Sequence, residues 1–382
     1  MLALALAGAA LGQAAFDPEL QRAFAEGARL LHEGSYPAAA EIFRGLLRRT
    51  DSPRVKLVLA RTLFLMGEYR ESRALFRQVQ LEPEVPWQVR DNIELFVQRI
   101  DDIVGYVKFG FSVVSDSNPR NITREREFTI GGVRLTFVPP EDNERVTGIR
   151  YGVRAHQPLA REAGVSAYFT GSYLDYPTEE LDRLTIDAGL VKDLGGPKLR
   201  AGIEAGTYGG QGLYRFPYLG YLRPLSQSPE HSLTVELKLG RVTFPDYEYL
   251  DARYVSGTVS GVRALSQTLA ASLALTVESS RAREEPYSYY GVTLTPGVTW
   301  LVGEPALLVK ADLAFAQRRY AEPDPLFGVT RIDDRIRLDL ALRSKQWRWM
   351  NFSPAVVLSL EKTESSNAFY SYEKTNLSLA VE

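Results

Sequence analysis

The stretch RIRLDLALR, from Arg335 to Arg343, decides the fold. Successive side chains of an extended strand point to opposite faces, so Ile336, Leu338, Leu340 and Leu342 share one side. Arg335, Arg337, Asp339 and Arg343 share the other, whereas a helix would mix the two sets. The same period of two recurs in Ser232–Leu239, where Leu233, Val235, Leu237 and Leu239 oppose Thr234, Glu236 and Lys238. It recurs again with Leu184, Ile186, Ala188 and Leu190 against Thr185 and Asp187, and with Leu377, Leu379 and Val381 against Asn376 and Ser378.

Outward from these segments, the pattern holds from Val104 to the C-terminus. It predicts about fourteen strands of roughly ten residues or more, near 104–115, 144–156, 163–176, 181–192, 197–210, 213–224, 230–245, 251–265, 267–282, 287–302, 305–320, 330–343, 352–363 and 368–381. The number is even, and tight connections at 194–197, 264–267 and 302–305 alternate with long ones at 115–144, 244–251 and 320–331. Tyr287, Tyr289, Tyr290, Trp347, Trp349, Tyr370 and Tyr372 cluster near strand ends, where amphipathic rings suit a membrane interface. A soluble sandwich would need a second sheet and uses shorter strands, of about five or six residues. A transmembrane barrel fits better. In lipid no backbone amide can stay unpaired, so the sheet must close. Charges such as Glu236, Lys238, Arg335 and Asp339 then line a hydrated lumen, because a charge facing lipid at mid-depth costs about 2–4 kcal/mol.

Residues 15–102 have a different period. Asp17 and Pro18 make a helix start, an N-cap oxygen followed by a ring that needs no amide hydrogen. Gly27, Gly34, Tyr36, Ala39 and Phe43 recur 33 residues later as Ala60, Gly67, Tyr69, Ser72 and Phe76. This resembles the tetratricopeptide repeat: small residues let paired helices approach, Gly34 and Gly67 end the first helix of each pair, and Tyr36, Tyr69, Phe43 and Phe76 fill the gaps. Pro53 and Pro83 punctuate the pairs. A third helical segment from Pro86 to Ile103 carries Val89, Ile93, Phe96, Val97 and Ile100 at helical spacing and caps the stack. The fold class expected is therefore N-terminal all-α helical repeats followed by an antiparallel transmembrane β-barrel spanning 103–382. The repeats serve either as a groove for a polypeptide or as a spacer.

Ahead of the repeats, LALALAGAALG at Leu2–Gly12 has the length of a signal-peptide core, and residues 1–14 read as an export signal. No later run reaches the ~18 consecutive apolar residues of a transmembrane helix. With 45% hydrophobic and 24% charged residues the chain is not a disordered one. A net charge of -2 offers no basic surface for nucleic acid. Cysteine is absent, and His32, His156 and His231 lack metal-ligand spacing, so no cofactor or metal is expected. No GxSxG element or recognisable Ser-His pairing supports a hydrolase.

GFSVVSDSNPRN at Gly110–Asn121, RIRLDLAL at Arg335–Leu342 and FSPAVVLSLEKTESSNAFYSYEK at Phe352–Lys374, following helical repeats, resemble the surface lipoprotein assembly modulators, the Slam family. That resemblance implies a fourteen-stranded outer-membrane barrel with its repeats in the periplasm, no enzymatic step, and a client lipoprotein or secreted protein helped to the cell surface. The barrel-insertion machinery is a further partner to expect. By motif it points to Asp116, Ser117 and Asn118 after the first strand, Arg335 and Asp339 on an inward face, and Ser366 and Asn367 near the last hairpin. For the Asn-containing motifs, turn chemistry competes with client contact; for Arg335 and Asp339, charge balance in the lumen does. The chain ends LAVE, whereas many outer-membrane barrels end on an aromatic residue. Polysaccharide export and a passive porin remain as rivals; a lumen lined with basic and aromatic side chains and a longer repeat array would favour the first, and this chain has few repeats.

Overall fold

A computed structural model describes residues 17–130, 132–140, 144–303, 306–347 and 353–381. The apolar run at 1–14, Trp349 and Phe352 lie outside them. The chain divides into two compact units, one ending at Tyr106 and one running through the barrel.

The first unit is five helices: α1 Pro18–His32, α2 Tyr36–Leu47, α3 Pro53–Met66, α4 Tyr69–Leu81 and α5 Trp87–Val104. Asp17 caps α1, accepting from the Glu19 amide at 3.2 Å. The 33-residue displacement is visible bond by bond. Ser35 N donates to Leu30 O and Glu68 N to Leu63 O, both at 2.9 Å, closing two equivalent helix ends. Gly34 and Gly67 both sit at φ 82, left-handed backbone that disfavours a side chain. Ala39, Phe43, Ala60, Ser72 and Phe76 are all fully buried. Gly27 is required by packing, since a Cβ there would lie 2.9 Å from the Phe43 ring. Ser72 meets the close approach of α3 by donating to Ala60 O at 2.7 Å. Val89, Ile93, Val97 and Ile100 of α5 complete the second core with Phe76.

The second unit is a closed antiparallel barrel of fourteen strands with a small extra hairpin. The strands are β1 Tyr106–Asp116, β4 Val146–Ala160, β5 Val165–Asp175, β6 Arg183–Asp193, β7 Lys198–Tyr208, β8 Gln211–Gln227 and β9 His231–Val242. They continue with β10 Ala252–Ala264, β11 Leu269–Ala282, β12 Tyr289–Val302, β13 Leu307–Pro323, β14 Thr330–Ser344, β15 Pro354–Ser365 and β16 Tyr372–Val381. Each pairs with its neighbour in sequence, and β1 pairs with β16 from Phe111↔Val381 to Asp116↔Asn376. Between β1 and β4 lies the hairpin of β2 Glu127–Ile130 and β3 Val133–Thr136, which the sequence reading treated as loop. Its strands are only four residues each, too short for periodicity to reveal.

The register separates the faces as expected. Ile336 and Leu342 of β14 and Leu237 and Leu239 of β9 are exposed on the outside, where lipid covers them. Arg337, Asp339, Glu236 and Lys238 take the alternate, inward positions. Loop lengths also alternate, with two departures. The β7–β8 connection on the long-loop rim is only Gly209-Gly210, whose φ values of 57 and 76 form a two-residue turn that matches strand twist. On the opposite rim, β14 ends at Ser344 and β15 begins at Pro354, a longer separation in sequence than its neighbours on that rim. The aromatic expectation needs correcting: Tyr289 and Tyr372 point into the lumen and Tyr287 and Tyr370 lie in rim turns, leaving Tyr290 as an outward ring and Trp347 as an exposed one just past β14. Sequence position near a strand end does not fix the face; parity does.

Candidate functional site

The inner wall where the barrel closes gathers the residues of the first motif. Asp116 ends β1 on an inward position and is buried. It accepts from Asn118 N at 3.0 Å and from the Tyr176 hydroxyl at 3.2 Å, and it pairs with Lys374 of β16 at 2.9 Å. The Asn376 side-chain amide, oriented to donate, adds bonds of 3.2 and 3.3 Å to the same carboxylate. Lys374 in turn donates to Asn121 Oδ1 at 3.1 Å, with Asn121 held at φ 53. Burial, and then the Asp116 carboxylate, push the Tyr176 phenol well above its ordinary value.

Ser117 and Asn118 stitch the same seam through backbone. Ser117 N donates to Thr375 O at 3.0 Å, and Thr375 N donates to Ser117 Oγ at 2.8 Å. Asn118 Nδ2 donates to Ile122 O and to Glu373 O at 2.9 and 3.0 Å. Thr123 donates to Ala368 O at 2.9 Å, so the first loop of this rim is tied to its last. Ser366 and Asn367 sit in that last loop. Ser366 Oγ accepts from Ile332 N at 2.9 Å and donates to Thr330 O at 3.0 Å, while Asn367 accepts from Phe369 N at 3.1 Å. Their contacts are turn chemistry.

Arg335 and Asp339 are not brought to this cluster. They lie on the inward face of β14, where Arg337 Nε pairs with Asp339 at 2.9 Å and Ser359 also donates to Asp339. Arg337 reaches Glu361 at 3.7 Å, and Tyr372 donates to Glu361 at 2.6 Å. The motif residues therefore divide into a seam group and a lumen-wall group.

Around the rest of the lumen run clusters that the sequence reading did not single out. Tyr168 and Tyr218 both donate to Asp187, at 3.1 and 2.8 Å, and Arg200 lies 4.5 Å over the Tyr168 ring. Tyr214 and Lys238 share Glu204 at 2.7 and 3.1 Å, with Lys238 4.1 Å over Tyr218. Tyr254 and Arg318 share Glu278 at 2.8 and 2.9 Å, and Arg318 covers Tyr289. Arg331 covers Tyr320 and Tyr370 at 4.6 and 3.6 Å and pairs with Asp333. Between these clusters is a cavity of about 590 Å³, lined by Phe216, Tyr254, Tyr289, Arg318 and Tyr320 among others. Each cluster combines a carboxylate, a cation and a phenol, so each is charge-balanced and satisfied. The only sequence signal was inward parity. Among the described residues no group of three or more His, Asp or Glu side chains is placed to hold a metal.

A closed, even-stranded barrel, apolar outside and charged within, defines this chain as an outer-membrane β-barrel protein carrying an N-terminal helical unit. Residues 227–382, which contain β9 to β16, match the surface lipoprotein assembly modifier family. RIRLDLAL and the Phe352–Lys374 segment fall inside that match; the Gly110–Asn121 segment precedes it. No curated protein matches the sequence. Solved barrels similar to this chain include OmpT of Vibrio cholerae (10% identity, 72% of this chain, 96% of that chain, TM-score 0.37). Others are OccAB3 of Acinetobacter baumannii (9%, 72%, 98%, TM-score 0.42) and an anion-selective porin from Comamonas acidovorans (11%, 72%, 98%, TM-score 0.36).

Proposed function

We propose that the protein assists the passage of client lipoproteins, or of secreted proteins, to the cell surface. The helical repeats lie in the periplasm and receive the client, and the barrel acts as conduit or scaffold without covalent chemistry. The observation that carries this reading is the family match over residues 227–382. The rest of the barrel is compatible with it: the seam that joins the two chain ends of the sheet holds the Asp116–Asn118 motif in a network whose buried groups are mutually satisfied.

The lumen's basic and aromatic lining brings in polysaccharide export as a second reading. Sugar rings stack on open aromatic faces, however, and here Tyr168, Tyr218, Tyr289, Tyr320 and Tyr370 each have a cation over the ring. One face of each of these five rings is occupied, which weighs against sugar stacking there.

The test is reconstitution. With the full chain in liposomes and a lipoprotein encoded beside it as client, protease accessibility of the client should depend on the barrel, and free sugar flux should stay low. Deleting Asp17–Ile100 should leave the barrel folded, because its strands satisfy one another's backbone groups, but should lower delivery. Undiminished delivery would reject the role given to the repeats; rapid sugar flux independent of client would reject the function.

A further inference from the structure

The outer face of the barrel carries a charged strip that neither the lumen nor the seam uses. Arg253 of β10 lies directly opposite Arg241 of β9 on one side and Arg281 of β11 on the other. Parity puts all three on the lipid side, continuing the outward rows Leu237–Leu239, Val255–Val259 and Leu273–Val277. All are exposed. Directly opposed side chains have Cβ atoms about 5 Å apart, so the three guanidinium stems start within a strip about 10 Å wide. Arg215 of β8, bridged to Thr243 and also exposed and outward, extends the strip diagonally.

Such a row is unfavourable in isolation. Like charges directly opposite one another destabilise a sheet. The carboxylate within reach is Asp251, 3.8 Å from Arg241, and it is already engaged by the Phe244 amide at 2.8 Å. Glu248 nearby pairs with Arg283. Among the described residues Arg253 and Arg281 have no carboxylate partner. The chain compensates Arg241 in part, through Asp251, and leaves Arg253 and Arg281 uncompensated.

Its height in the bilayer follows from β10. Arg253 and Arg263 bracket the outward face of that strand. Ten residues at about 3.3 Å each, tilted by about 40°, rise about 25 Å, the height of a barrel's apolar band. The strip therefore sits where hydrocarbon gives way to headgroups, on the rim opposite the strand ends that carry the chain termini.

We propose that Arg241, Arg253 and Arg281, with Arg215, bind the phosphate groups of a phosphorylated glycolipid in the outer leaflet. Arginine suits this task, since its planar fork bonds two phosphate oxygens at once and neighbouring strands offer forks at headgroup spacing. The inference rests on the topology proposed above, in which this rim faces outward.

The experiment uses the full chain purified in detergent, with retained lipid measured by native mass spectrometry. The probes are bisphosphorylated lipid A, its dephosphorylated form, phosphatidylglycerol and inorganic phosphate. Lipid A should bind, and the R241Q/R253Q/R281Q variant should lose about tenfold or more in affinity. Arg263→Gln, at the other rim, should bind as the unmodified chain does. If the triple variant fails to assemble, Arg253→Gln alone should still weaken binding about threefold. Equal binding by the triple variant, equal binding of dephosphorylated lipid, or full competition by inorganic phosphate would each overturn the proposal. Strip-dependent binding of phosphatidylglycerol in preference to lipid A would overturn the leaflet assignment, and surface labelling of a tag at Asp246 would then tell whether the topology itself had failed.

Discussion

Lys374→Met should loosen the barrel at its closing seam. The Lys374–Asp116 pair is 2.9 Å long, with side chains only 9% and 3% exposed. At that distance the Coulomb attraction is about 6 kcal/mol for an effective dielectric near 20, most of which offsets desolvation of the two groups. Removing one partner of a buried pair costs about 3–5 kcal/mol, because the other charge stays buried. Asp116 would keep the Asn118 amide, the Tyr176 hydroxyl and the Asn376 amide, so the cost should fall at the low end, about 3 kcal/mol. Asp116→Asn should cost about the same, leaving Lys374 with Asn121 as its acceptor. The double variant has no unpaired buried charge and should cost at least ~1 kcal/mol less than the sum of the singles. Urea titration of protein folded into lipid vesicles, followed by heat-modifiable gel mobility, gives the three numbers. Hydrogen exchange in β1 and β16 locates the loosening. By contrast Lys362→Ala, which breaks an exposed pair with Glu364, should change stability by less than ~1 kcal/mol. Single effects that add within about 0.5 kcal/mol would refute the coupling at the seam.

Leu338→Arg should impair barrel assembly more than Arg337→Leu. The first puts charge into hydrocarbon near the middle of β14, at about 2–4 kcal/mol, whereas the second leaves Asp339 with Ser359 and Glu361 with Tyr372; equal tolerance would mean the faces are wrongly assigned. An epitope inserted at Asp246 or Leu326 should be labelled on intact cells and one at Gly195 should not. Asp324 itself should be avoided as an insertion point, because its carboxylate accepts from Leu326 N and from the Tyr370 hydroxyl. In the helical unit Phe43→Ala should cost about 3–5 kcal/mol, and Gly67→Ala about 1 kcal/mol through its left-handed backbone. Circular dichroism of the isolated helical unit, and of the full chain as control, measures both.

The fold was legible because two periods carry it. Alternation in segments such as Leu233–Leu239 and Ile336–Leu342 states both the strand and its lipid face, and the 33-residue displacement from Tyr36 to Tyr69 states the helical pairing. Boundaries moved by only a few residues: β13 runs on to Pro323 and β8 to Gln227. One local feature escaped: the hairpin β2–β3 is too short for a period.

The candidate site was legible only by half, for a reason built into barrels. Parity tells which way a side chain points, so Arg335 and Asp339 could be placed inward from sequence, whereas Asp116, read as following the first strand, is its last residue. Parity does not tell which residue on which strand will stand beside a given side chain, because that depends on closure and register. Asp116 and Lys374 become neighbours only when β1 pairs with β16, and Glu278 meets Arg318 only through the register of β12 between them. The same limit applies outside: only the β9–β10–β11 register sets Arg241, Arg253 and Arg281 side by side. Register also explains why the inner and outer walls differ in chemistry. Inside, several lumen-wall cations have a carboxylate set beside them from two strands away, as Lys238 has Glu204 and Arg318 has Glu278. Outside, Arg253 has an arginine on each side instead, and the proposed lipid phosphates supply the anion that balances it.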